Sequence, residues 1–398
     1  MRVVACAMRA LLLALLASHT WAASPAPDYA ALPGAKAMAV VPGHAAQRGV
    51  AHGKGDDRTA AATALSNCQL AWNTACEIVW LNDEAVTPGA AIRAKAGIGS
   101  RERPLFLWRY ASPTATVYLA GSVHLLKPSL YPLPAQLDAS FAAADYLVLE
   151  VDSQALPAGT LQQLSTRYGV LPNGQTLNQV LPAPLHGRLA RRLASYGIQI
   201  DQLARLKPAL VMTELVRLRL AALGYLPEHG VESYFRARAS GRPILQLETV
   251  ELQMRLLFDQ PLSTQIQLLA DTLDQELAIE PLLTELLVAW LAGDDAAFLA
   301  SFQQQSGTSE LARAFNRQLL DERNVGMASK VASYLAGQGT YFVLAGAAHF
   351  VGTNGIVALL AERGLHGTRL TSASRIDPAS ATPTAASAAA HPAAAVIN

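Results

Sequence analysis

The feature that most constrains this chain is a phrase written twice, far apart. In each copy a short apolar run of β-forming residues leads straight into Gly-x-x-His. The first copy runs Thr116-Val117-Tyr118-Leu119-Ala120 into Gly121-Ser122-Val123-His124. The second runs Tyr341-Phe342-Val343-Leu344-Ala345 into Gly346-Ala347-Ala348-His349. β-Branched and aromatic residues in so short an apolar run predict a buried strand. A glycine just past the strand permits a tight turn or a close backbone approach. A histidine there stands at the carboxyl end of the strand, where open α/β sheets place their ligands. Two such phrases make a metal or acid–base site the leading expectation.

Two further apolar runs end in carboxylates. Tyr146-Leu147-Val148-Leu149 leads to Glu150, Val151 and Asp152, and Pro243-Ile244-Leu245-Gln246-Leu247 leads to Glu248. Strands alternating with helical patterns predict an α/β fold: a small central, mostly parallel sheet surrounded by many helices. If the four strands are parallel neighbours, His124, Glu150, Glu248 and His349 converge on one sheet edge. Residues 105–110 read as another strand, turning at Ser112-Pro113 to form a hairpin with the first Gly-x-x-His strand. Helices are expected over 135–144, over 161–219 with breaks at Pro172, Pro182 and Pro208, over 230–239, through most of 250–336, and over 353–363. The apolar stretch 279–293 is interrupted by Glu280, Pro281 and Glu285, which predicts a buried helix rather than a membrane span.

The N-terminus reads as an export signal over 1–23. Arg2 and Arg9 supply positive charge, 10–17 is a short apolar stretch, and small residues follow. The alternative is an uncleaved anchor; no other transmembrane span is expected. The chain is therefore expected to be exported, into a periplasm or beyond the cell. Residues 24–62 are rich in Ala, Gly and Pro without a period and read as a flexible leader, with His44 and His52 solvated. Residues 63–103 form an accessory segment holding Cys68 and Cys76. Cys6 falls in the signal, and the remaining pair is expected to form a disulfide outside the cytoplasm, with two reduced thiols as the alternative. The main domain spans 104–371. Residues 372–398, mainly Ala, Ser, Thr and Pro, read as a disordered tail. With 31 Lys and Arg against 30 Asp and Glu, mixed along the chain, the sequence lacks the basic footprint of a nucleic-acid binder.

Imidazole with carboxylate is a ligand set for Zn²⁺, Mn²⁺ or Fe²⁺. A metal site with an open position lowers the pKa of bound water, and a spare carboxylate serves as general base. His124 and His349 are the expected ligands. Glu150 is the expected third ligand or base, with Glu232 and Glu248 next and Asp152 behind them. The plain alternatives are hydrogen-bonded core histidines and ion-paired strand-end carboxylates. His229 reads as a loop residue that could support the site from behind. Gly121-Ser122-Val123-His124 is not a Gly-x-Ser-x-Gly elbow, Gly53-Lys54-Gly55 lacks P-loop spacing, and no His-Glu-x-x-His occurs.

Taken in order, these motifs resemble those of the TraB/PrgY/GumN family, which includes the animal Tiki proteins. The resemblance covers roughly 104–370. It rests on Gly121 to His124, Leu149-Glu150-Val151-Asp152, Gly230-Val231-Glu232, Leu247-Glu248-Thr249 with Glu251 and Gln253, Arg323-Asn324 with Met327, and Gly346 to Gly352. It implies a fold similar to erythromycin esterases and to a haem-binding lipoprotein, with a site at one edge of a small sheet. The Tiki branch is described as a metal-dependent protease using two Gly-x-x-His motifs and a glutamate. By resemblance those roles fall to His124, Glu150 and His349, while Gly121 and Gly346 shape the turns. Arg323 and Asn324 would orient substrate or pin the sheet edge. The resulting expectation is an exported metal-dependent hydrolase acting on peptides with Mn²⁺, Co²⁺ or Zn²⁺, in which Glu150 or Glu248 handles the proton. Two alternatives stand beside it. One is a periplasmic protein that captures a peptide, haem or metal without turnover, since PrgY-type relatives are thought to restrain peptide signals. The other is a metal-independent esterase.

Overall fold

Strands that are apolar on both faces need cover on both sides, which parallel sheets provide. The computed structural model of the protein describes residues 29–376, apart from 43, 88, 100, 101 and 306–308. Its main domain is built on β5 (Pro104–Ala111), β6 (Ala115–Ser122), β7 (Tyr146–Leu149), β8 (Ile244–Gln246), β9 (Gly339–Gly346) and β10 (Thr368–Thr371). These form one sheet in the order β10-β5-β6-β9-β7-β8. The two Gly-x-x-His strands, β6 and β9, are buried central neighbours and run parallel. β7 and β8 extend the parallel set. β5 returns antiparallel through the expected hairpin, and β10 pairs antiparallel with β5. The sheet is therefore mixed, and the protein is α/β. β10 was not expected, because Thr-Arg-Leu-Thr on a sheet edge carries no apolar run.

Register places the strand ends side by side. Gly121 lies opposite Ala345 and Ser122 opposite Gly346. Val148 faces Val343, and Leu149 faces Gln246. Helices fill the connections, and several stop short of their expected limits: Ala135–Ala142, Val231–Arg236 and Ile356–Glu362. The apolar stretch near residue 285 forms a helix, Ile279–Ala292, with Leu287 and Trp290 buried. It packs behind the site: Trp290 Nε1 donates to Gly121 O at 2.9 Å. Among the described residues, no helix is long and apolar enough to cross a membrane.

The stretch read as a flexible leader is structured from Tyr29 onward. β1 (Ala35–Val41), β2 (His44–Lys54), β3 (Glu77–Leu81) and β4 (Glu84–Ala85) make a four-stranded antiparallel sheet ordered β2-β1-β3-β4. The helix Asp57–Trp72 lies against it and crosses the boundary expected at residue 63. The small residues that suggested a linker serve close packing. Ala37, Ala39, Ala60, Ala61 and Ala64 are fully buried. A Cβ on Gly49 would lie 2.2 Å from Cys68 N, so only glycine lets helix and sheet approach this closely. Alanine and glycine carry too little apolar area to show a clear hydrophobic period, which is why the pattern was invisible. His44 and His52 are exposed, as expected.

Cys68 and Cys76 form a disulfide that ties the end of this helix to β3. The N-terminal unit is joined to the main domain through Arg219 Nη2 with Glu84 Oε2 at 2.5 Å and Thr87 N with Glu280 Oε1 at 2.6 Å. The expected signal peptide and the tail beyond Ile376 lie outside the described residues. The first tail residues are anchored: Gln136 Nε2 donates to Ser372 O at 2.7 Å.

Candidate metal and acid–base site

Each parallel strand delivers its functional residue within three residues of its carboxyl end. His124 follows β6, Glu150 directly follows β7, and Glu248 follows β8. His349 ends the short 3-10 turn Ala347–His349 after β9. The β7–β8 ladder continues past the strands, with Leu247 N donating to Leu149 O and Glu248 N to Glu150 O. The two carboxylates are thereby locked side by side.

Glu150 is the centre. Its Oε1 accepts from Gly346 N at 2.5 Å and faces two imidazole nitrogens, His349 Nε2 at 3.8 Å and His124 Nε2 at 4.0 Å. Its Oε2 accepts from Arg323 Nη2 at 2.6 Å and Gln253 Nε2 at 3.2 Å. Arg323 also forks onto Glu248, with Nε at 3.0 and 3.1 Å from the two carboxylate oxygens and Nη2 in close contact. Gln253 Nε2 donates to Glu248 Oε1 at 2.8 Å. Glu248 is therefore occupied in holding Arg323 and is not poised as a base. A π-helical turn, Gln318–Glu322, immediately precedes Arg323, whose Nη1 donates to Leu319 O at 3.2 Å. Such turns often mark functional positions.

Each imidazole is also gripped from behind. His124 Nδ1 lies 2.8 Å from Glu232 Oε1, which also accepts from Ser122 Oγ. His349 Nδ1 lies 2.6 Å from Asn324 Oδ1. In a neutral ring, a nitrogen bonded to an oxygen acceptor donates its proton there, leaving the other nitrogen bare. Both Nε2 atoms face Glu150. Asp152 does not join the group: its carboxylate is taken by Arg236 Nη1 at 2.7 Å and by the amides of Gln154 and Ala155. His229 lies in the 3-10 turn Pro227–His229, held through its carbonyl by Tyr131. Burial lowers its pKa.

The electrostatics are unbalanced. Glu150, Glu232 and Glu248 oppose one guanidinium, leaving two negative charges when both imidazoles are neutral. The nearby carboxylate of Glu232 raises His124 to about 9. Burial lowers His349 to about 4, so it is neutral at pH 7. Burial alone would raise Glu150, but His349, His124, Arg323 and the Gly346 amide together hold it down at about 2. His124 remains open to solvent, with 58 % of its side chain exposed, whereas His349 is buried.

Among the described residues, no group of three or more His, Cys, Asp and Glu side chains has the spacing of a formed metal centre. The chemistry of the donors nonetheless fits a divalent cation. Two imidazole Nε2 atoms and one carboxylate oxygen converge, each imidazole has an oxygen acceptor behind it, and the surplus negative charge would favour a cation that displaces the proton of His124. Two donors each about 2.1 Å from a tetrahedral ion lie roughly 3.4 Å apart. The separations of 3.8 and 4.0 Å are a few tenths of an ångström wider.

Gly346 borders the gap between these donors. A Cβ there would sit 3.3 Å from both Glu150 Oε1 and His124 Nε2. Gly346→Ala is thus expected to weaken Zn²⁺ binding at least tenfold while shifting the melting temperature little. Isothermal titration and thermal melts read the two effects separately. Unchanged affinity would mean the ion does not enter between these donors.

Among the contributors, Ser122 sat in plain view inside the first motif, and Gln253 was noted only as part of a motif. Asn354 accepts from Asn324 Nδ2 at 2.8 Å through its backbone carbonyl, a contribution that no side-chain pattern reports. Over residues 106–369 the chain is similar to the model of the TraB/PrgY/gumN family. No curated protein and no solved structure matches it significantly.

Proposed function

Because the chain belongs to the TraB/PrgY/gumN family, we propose that it is an exported metal-dependent hydrolase acting on peptides. One observation carries this reading: Glu150 Oε1 faces the Nε2 atoms of both motif histidines, 3.8 and 4.0 Å away. His124, His349 and Glu150 would hold Mn²⁺, Co²⁺ or Zn²⁺. When bound, such an ion polarises a carbonyl and brings the pKa of water towards 7. The disulfide and the N-terminal sequence support export.

The protein's own groups divide the remaining work. Arg323, clamped by Glu248, keeps Glu150 ionised and turns its Oε1 inward. Gln253 bridges the two carboxylates and fixes their separation. Glu232, bonded to Nδ1 behind His124, orients that ring and raises its basicity. His349, neutral and enclosed, keeps its geometry throughout.

The test is cleavage of a peptide library read by mass spectrometry. Chelation is expected to lower cleavage about 100-fold or more, the scale on which one catalytic element contributes. Adding back Mn²⁺, Co²⁺ or Zn²⁺ should restore it. Cleavage indifferent to chelation would overturn the metal-dependent reading. A bound ion with no cleavage of any library member would favour capture without turnover.

A further inference from the structure

Whether His349 can serve the site depends on which of its ring nitrogens is bare. Two hydrogen bonds decide this. Asn324 Nδ2 donates to the main-chain carbonyl of Asn354 at 2.8 Å. A carbonyl can only accept, so the NH₂ end of the Asn324 amide must point that way. Its Oδ1 therefore faces His349 Nδ1 at 2.6 Å. That oxygen also only accepts, so Nδ1 carries the proton. Nε2, 3.8 Å from Glu150 Oε1, keeps its lone pair. Asn324 is 2 % exposed and His349 3 %, so bulk water has little access to replace either bond. Asn354 is itself restrained, its Nδ2 donating to Asp321 Oδ2 at 2.9 Å.

We propose that Asn324 is a positioning residue: locked by the Asn354 carbonyl, it holds His349 in the Nδ1–H form and keeps Nε2 bare toward Glu150. The purpose of this device rests on the hydrolase reading, but its test does not. An amide suits the task where a carboxylate would not. It fixes the ring without adding charge to a pocket that already holds the buried carboxylates of Glu150 and Glu248. His124, open to solvent, has the carboxylate of Glu232 instead.

Nitrogen-15 NMR of the metal-free protein at neutral pH reads the tautomer directly. His349 is expected to show a protonated Nδ1 and an unprotonated Nε2. In Asn324→Leu that preference is lost, and Zn²⁺ affinity by titration falls 10–100-fold, the range seen when a group supporting a ligating histidine is removed. A wild-type His349 protonated on Nε2 overturns the proposal, and that measurement needs no variant to fold. A folded Leu variant that keeps both tautomer and affinity overturns it as well. If the wild type binds no ion, the hydrolase reading fails, while the tautomer still decides the role of Asn324.

Discussion

Alanine at either motif histidine is expected to bring peptide cleavage down by at least about 10³-fold, within the range that positioned acid–base groups contribute. The stoichiometric ion should be lost with it. The two variants differ in what else they disturb. The His124 ring is largely open to solvent, so His124→Ala removes little packing. His349 is buried, and its loss strands Asn324 Oδ1, at a cost of about 1–3 kcal/mol. Thermal melts therefore separate misfolding from lost chemistry, with His124→Ala as the cleaner probe. Asp152→Asn is the control, since that carboxylate serves Arg236 and a turn rather than the cluster. If His124→Ala cleaves within a factor of a few of the wild type, the two-histidine mechanism is wrong.

Arg323→Met is expected to be the most destabilising single change at the site. Glu150 and Glu248 are both buried, and one guanidinium satisfies them both. Removing one partner of a buried ion pair typically costs about 3–5 kcal/mol, because the orphaned charge stays out of water. For a domain of this size that corresponds to a fall in melting temperature on the order of 10 °C. Adding Glu248→Gln to the Arg323→Met background should recover part of the loss. A coupling above about 1 kcal/mol in the double-mutant cycle would show that the residues act as one unit.

The acid limb should move too. Glu150 ionises at about 2 in the folded chain against an ordinary 4.5. Its stabilising contribution is therefore complete above pH 4.5 and disappears as pH falls through about 2. Without Arg323 the folded pKa rises and acid unfolding starts at higher pH. A variant that melts with the wild type and keeps the same acid limb would show that the carboxylates are not held by this guanidinium.

The central strands and the four residues at their ends were legible in the sequence because β6 and β9 are dense in apolar β-formers. Such runs admit only burial on both faces. The N-terminal unit was not legible, because alanine packs closely without a strong hydrophobic signal. Sequence pattern alone offers Glu248 as a spare base. In the fold it is a clamp, since Arg323 reaches it from 75 residues away. Asp152 shares a motif with Glu150, yet it turns to Arg236 because the chain has left the strand by then and Asp152 caps the 3-10 turn Ser153–Ala155.

By itself, the sequence determined that two Gly-x-x-His turns and two acidic strand ends exist, and that parallel pairing would line them up. Residue types and short-range periodicity carry that much. Only the tertiary structure decided which oxygen faces which nitrogen, which carboxylate is already engaged, and that an amide rather than an acid stands behind His349. Those facts depend on contacts between residues remote in the chain, and on the directions of hydrogen bonds that no local pattern records.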